Sequence, residues 1–194
     1  HKDRRARLYQ QAKERGDLEA AARLVRAAIG LNSTALDTLI DRALPYIEAG
    51  QEIIFAVPHP PFADERCDGA DLAGSKKIKN ALPIQFAVYL SEIVGGSFSN
   101  DIIQSARVGR TSMSRLQRYL WQPSFSGYVD QNAAYVIADD VFTMGGTLAA
   151  LHSYIVATGG TVIAAVALAH NTGETQPLAL RPETWHELQD AFGP

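Results

Sequence analysis

Two adjacent carboxylates, Asp139 and Asp140, are followed after Val141 and Phe142 by the small turn Thr143-Met144-Gly145-Gly146-Thr147. Ionised carboxylates accept hydrogen bonds from hydroxyl groups. Gly145 and Gly146 let backbone N–H groups approach a ligand closely and reach φ > 0. Thr143 and Thr147 place hydroxyl donors beside them. Where such a turn opens a helix, the first amides have no intrahelical partner and favour an anion. The result is a phosphate cradle with two carboxylates at its mouth, and the carboxylates would repel a bare phosphate. A sugar phosphate resolves the conflict, with ribose hydroxyls on Asp139 and Asp140 and the 5′-phosphate in the loop from Thr143 to Thr147. The alternative is an ordinary strand–turn–helix with an acidic edge. Neighbouring strand residues point to opposite faces, so the two acids need not share one role.

The elements that must position this turn are legible around it. Tyr135 to Ala138 is an apolar run suited to a strand buried on both faces of a parallel sheet. A loop leaving the carboxyl end of such a strand is where open α/β sheets bind ligands. The spacing predicts a helix from Leu148 to Ala157, stopped by Thr158-Gly159-Gly160, and a last strand from Thr161 to Ala169. Upstream, Glu52 to Val57 reads as a strand closed by Pro58-His59-Pro60-Pro61, and Asn80 to Val94 as an amphipathic helix ended by Gly95-Gly96. Between them lies a long polar loop holding Asp64, Glu65, Arg66, Asp68 and Asp71, and a compact domain seldom carries such a loop without a use for it. An apolar patch at Ile102-Ile103 leads to Arg107, Arg110, Arg115 and Arg118. Residues 1–48 read as helical, basic in the first turns, with a break at Asn32-Ser33-Thr34 and a second helix from Ala35 to Ala49. The expected fold is therefore α/β: a mostly parallel sheet flanked by helices, with an N-terminal helical extension. The expected organisation is an extension over 1–50, a core over 51–170 and a C-terminal segment over 171–194.

Composition narrows the class. With 194 residues, 46% apolar and 20% charged, the chain has the make-up of a soluble globular domain. No run approaches the roughly 18 apolar residues a membrane-spanning helix needs. The net charge of −3 argues against bulk nucleic-acid binding. The single Cys67 excludes an internal disulfide and fits a reducing cytoplasm. His1 in place of Met suggests that the chain was cut from a longer one.

The stretch ADDVFTMGGTL, Ala138 to Leu148, resembles the 5-phosphoribosyl-1-pyrophosphate (PRPP) motif of type I phosphoribosyltransferases: a hydrophobic run, two acids, a hydrophobic residue and a Thr/Gly loop. Met144 stands where that family usually has a small or hydroxylated residue. Residues 53–169 more particularly resemble the ComF-type branch. The matching features are Ala56-Val57-Pro58, an Asn and aliphatic helix at Asn80 to Val94, and a basic segment with Arg107, Gln117, Arg118 and Phe125. That branch often carries zinc-binding cysteines near its N-terminus, which this chain lacks, and the loop after Pro58 is longer than usual.

The resemblance implies a reaction of nucleotide metabolism in which a nitrogen of a small base-like substrate displaces pyrophosphate from C1 of PRPP. In this reading Asp139 and Asp140 grip the ribose, and Thr143, Met144, Gly145, Gly146 and Thr147 hold the 5′-phosphate. Val57, Pro58 and His59 form a pyrophosphate loop, with His59 a donor or a loop histidine without function. Arg107 and Arg110, backed by Arg115 and Arg118, close over the leaving group, although the latter pair also has the spacing of a solvated helix face. Mg²⁺ is expected to ride on PRPP with no direct protein ligand. Lys76, Lys77 and Lys79 read as a solvated run. Trp185 and His186 belong to a C-terminal hood or anchor. Homodimers are common in this fold, though no patch here demands one. The alternative is a non-catalytic PRPP- or nucleotide-sensing regulatory module of a larger protein, whose basic first helix docks a partner.

Overall fold

The computed structural model describes residues 2–29, 33–58, 80–105, 123–142 and 145–170. Three helices, α1 (Lys2–Glu14), α2 (Leu18–Ile29) and α3 (Ser33–Glu48), precede strand β1 (Ile53–Ala56). Helix α4 (Leu82–Val94) leads to β2 (Ser97–Ser99), β3 (Ile102–Gln104) and β4 (Phe125–Gly127). The central strand β5 (Ala134–Phe142), helix α5 (Gly146–Ala157) and strand β6 (Thr161–His170) complete the described chain.

Strands β2, β1, β5 and β6, in that order, form one parallel sheet. Its interior strand β5 is buried through Asp140, which explains an apolar run without alternation. On one face Phe55, Val57, Val136 and Ala138 pack against Ile84, Phe86, Leu90 and Val94 of α4, joined by Val25 of α2 and Leu39 and Ala43 of α3. On the other, Ile54, Ala56, Tyr135 and Ile137 meet Leu148, Leu151 and Ile155 of α5, with Ile102, Phe125 and Val129. Each buried aliphatic side chain of this size contributes roughly 1.5–3 kcal/mol of transfer free energy. Helices α2 and α3 thus share the core of the sheet.

This topology makes a crevice. The chain leaving β1 returns through α4 to β2, on one side. The chain leaving β5 returns through α5 to β6, on the other side and across the opposite face. Between the carboxyl ends of β1 and β5 the direction of winding reverses, which is where open α/β sheets place ligands.

The structure corrects the sequence reading in three places. The N-terminal stretch holds an additional break, at Gly16 with φ 66° and Asp17, whose Oδ1 accepts from the Ala20 amide at 3.0 Å and caps α2. Strand β2 and the antiparallel β3–β4 ribbon are additional elements, each strand three residues long. Finally, β5 continues through both acids to Phe142, because β6 pairs with it all the way, Asp139 opposite Ala167 and Phe142 opposite His170.

Candidate functional site

Period-two alternation along β5 decides where the acids point. Val136 and Ala138 belong to the α4 face, and Tyr135 and Ile137 to the α5 face. Asp140 therefore shares the α4 face and Asp139 the α5 face. Strand β1 ends with Ala56 opposite Ile137, so both acids lie on the part of β5 that extends past it into the crevice.

Asp140 is held by two donors. Lys13 Nζ, from α1, donates to its Oδ2 at 2.6 Å, and Asn80 Nδ2 donates to the same oxygen at 3.0 Å. Asn80 is fixed in turn, since its Oδ1 accepts from the Leu82 amide at 3.2 Å in the first turn of α4. The Lys13 ammonium also stands 5.6 Å from the centre of the Tyr9 ring, within cation–π range. Burial alone would raise the Asp140 pKa; the hydrogen bonds from Lys13 and Asn80 outweigh it and hold the carboxyl below the usual range. Burial alone would lower that of Lys13, and its bond to Asp140 more than offsets this.

Asp139 has the opposite surroundings. Its Oδ1 accepts from the Asp140 amide at 2.8 Å. Burial and the neighbouring negative charge of Asp140 push its pKa up from 3.8 to about 7. One acid is thus kept as an anion and the other keeps a proton until near neutrality, a separation of the kind that marks chemical sites.

The glycine turn follows two residues after β5. Gly145 caps α5 in the left-handed region, φ 70°, and a Cβ there would stand 3.0 Å from two ring atoms of Phe142. Its carbonyl accepts from the Ala149 amide at 2.8 Å, so the helix is wound from its first turn. That turn carries no acidic side chain.

Seven of the residues singled out from the sequence lie at the carboxyl ends of β1 and β5: Val57, Pro58, Asp139, Asp140, Gly145, Gly146 and Thr147. The side chains of Val57 and Pro58 are fully buried, so this turn offers the crevice backbone rather than side-chain groups. Thr143, Met144, His59, Arg107 and Arg110 lie outside the described residues, as do Arg115, Arg118, the lysine cluster, Cys67 and Trp185. Among the described residues no three His, Cys, Asp or Glu side chains gather as a metal site would need. Lys13 was not anticipated at Asp140. The basic character of its helix points to partner docking instead, and no local pattern links residues 127 positions apart. Asn80 enters the sequence reading as the start of a helix and as part of the ComF-type pattern, but not as a partner of Asp140.

Fold and site together define a doubly wound α/β domain with its crevice at the switch point between β1 and β5. No protein-family profile matches the chain. A protein TraN of Escherichia coli is 34% identical over 187 residues, 96% of this chain and 37% of that protein. An uncharacterized protein of Haemophilus influenzae is 35% identical over 78 residues, 40% of this chain and 17% of that protein. The chain therefore spans well under half the length of these relatives. Among solved structures, an adenine phosphoribosyltransferase covers 74% of each chain at 14% identity and a TM-score of 0.36. The adenine phosphoribosyltransferase of Thermoanaerobacter pseudethanolicus covers 72% of this chain and 70% of its own, at 17% identity and a TM-score of 0.37. No helix among the described residues is long and apolar enough to cross a membrane.

Proposed function

We propose that this chain binds Mg²⁺–PRPP in the crevice between β1 and β5 and transfers its 5-phosphoribosyl group to a nucleobase-like acceptor, in the manner of the type I phosphoribosyltransferases. Within that class the proposed branch is the ComF type, on Ala56-Val57-Pro58, the Asn80 helix and the basic segment that includes Arg107. The observation that carries the reading is the central strand itself. Near its carboxyl end it carries one carboxylate held ionised and one whose pKa is raised to about 7, and a left-handed glycine three residues after its end opens a helix.

Each part has a task. The amides of Gly146 and Thr147, flanked by Thr143 and Met144, hold the 5′-phosphate. Asp140, anionic, accepts from a ribose hydroxyl, and Asp139 does so in whichever protonation state the pH sets. Their grip fixes the sugar so that the acceptor nitrogen meets C1 in line with the leaving group. The N–C1 bond forms as the C1–O bond breaks, and pyrophosphate departs with the bonding electron pair. The backbone at Val57 and Pro58, with His59, Arg107 and Arg110, is proposed to meet the charge that builds on it. Mg²⁺ fits as part of the substrate, because PRPP brings phosphate oxygens that this hard cation prefers.

The test is pyrophosphate release from PRPP across a panel of nucleobases. Release with at least one base, abolished in Asp140→Asn while the variant still unfolds cooperatively, is the expected result. PRPP binding without turnover on any base would favour the second reading, a PRPP-sensing module. That reading draws on the Lys13 contact, which ties the acid site to the basic N-terminal helix, and its partner affinity should fall steeply with salt.

A further inference from the structure

We propose that α1 is a tethered plug in the ribose subsite: Lys13 occupies the carboxylate of Asp140, and PRPP gains that acid by displacing the lysine. This rests on the reading of the crevice as a PRPP site and adds to it a competitor supplied by the chain itself.

The geometry is that of a contact built to cover the acid. Lys13 Nζ and Asn80 Nδ2 converge on one oxygen of Asp140, whose side chain is left 11% exposed. A ribose hydroxyl needs an acceptor on that carboxylate with an open approach, and the ammonium stands in it. The lysine is placed there by more than chance collapse of a long side chain. The residue before it, Ala12, is fully buried against Ala20, Ala21, Ala81 and Leu82. The Ala12 carbonyl accepts from the Ala81 amide at 2.9 Å, one residue from Asn80. That seat aims Lys13 at the crevice from the start of α4.

The same seat is slight. Ala12 is the one buried residue among the described side chains of α1, and Arg5, Arg7, Tyr9 and Glu14 are exposed. Lys13 itself is about one-third exposed, on a flexible four-carbon stem. The lysine end of the pair is open to water, although Asp140 is buried. The ammonium can therefore swing to solvent while Ala12 stays docked. Asn80, anchored to α4, remains to orient the carboxylate for the incoming hydroxyl.

Two measurements on the full chain decide the matter. The first is calorimetric titration of Mg²⁺–PRPP into the wild type and Lys13→Met, which keeps the stem and removes the charge. The plug predicts binding roughly three- to tenfold tighter in the variant, the size of a partly exposed ion pair. Binding by the variant alone supports it more strongly. Unchanged or weaker binding overturns it, weaker binding meaning that Lys13 touches PRPP directly. If neither protein binds PRPP, the PRPP reading falls and the plug falls with it. The second measurement uses the wild type alone: trace acetylation of the Lys13 amine with and without saturating Mg²⁺–PRPP. Faster labelling in the presence of ligand is expected. Unchanged or slower labelling overturns the plug.

Discussion

Asp139 and Asp140 are the same residue type, adjacent in the chain and equally buried, yet the two faces of β5 treat them oppositely. On the α4 face an ammonium and an amide converge on Asp140 and keep it charged. On the α5 face Asp139 receives a backbone amide, and burial with its neighbour's charge favours the protonated form. The difference is made by the donors that reach Asp140 and by the charge that Asp140 then presents to Asp139. A motif written as two acids conceals it.

The largest effect that would break this comparison lies in its pH dependence. Between about pH 4 and pH 7 folded Asp139 holds a proton that the unfolded chain has released, its pKa being raised to about 7 from 3.8. The unfolded state then binds fewer protons, so stability falls with rising pH, by up to about 1.4 kcal/mol per unit. Asp140 has the opposite sign. Its folded pKa is depressed, so its contribution is present above the unfolded value and is lost as pH falls through the folded one. Urea unfolding from pH 4.5 to 7.5 should show Asp139→Asn gaining on the wild type as pH rises. Parallel curves would sink the assignment.

Gly145→Ala should cost about 1–2 kcal/mol, because an L side chain at φ 70° is strained and its Cβ meets the Phe142 ring. Gly146→Ala, one residue further and inside α5, should be neutral or stabilising by up to about 1 kcal/mol. Equal losses in thermal unfolding would mean that the cap is not where the strain sits. Asn80→Ala removes a bond to Asp140 and one to the Leu82 amide and should cost about 1–2 kcal/mol. It should also raise the Asp140 pKa, read by carboxyl ¹³C titration; an unmoved titration would remove Asn80 from the account. Lys13→Met should cost a comparable amount, about 1–2 kcal/mol, because the lysine is partly exposed but the Asp140 it leaves behind is buried.

Much of the frame was legible in the sequence because the signals were long. The apolar run of β5 and the amphipathic α4 each extend over many residues, and Gly159-Gly160 marks the end of α5 plainly. The opposite orientation of the two acids follows from the strand period alone. Strands β2, β3 and β4 were not legible: three residues each, mostly half-exposed, they show no alternation to count. The break at Gly16-Asp17 hid inside a continuous helical pattern, because a single cap outweighs the propensity around it. Lys13 and Asn80 were beyond local reading for a different reason. Both meet Asp140 across long stretches of chain, 127 and 60 positions, and only the docking of α1 and α4 at one end of the sheet brings them together.

The most direct test of the central claim is thermal unfolding with and without PRPP and Mg²⁺, with Asp139→Asn/Asp140→Asn as the control. PRPP at about 100 times its Kd should add roughly 2.7 kcal/mol, a rise of about 5–10 °C for a domain of this size. The account predicts that rise in the wild type, dependent on Mg²⁺ and absent from the double variant. No rise at millimolar PRPP, or an equal rise in the double variant, would contradict it.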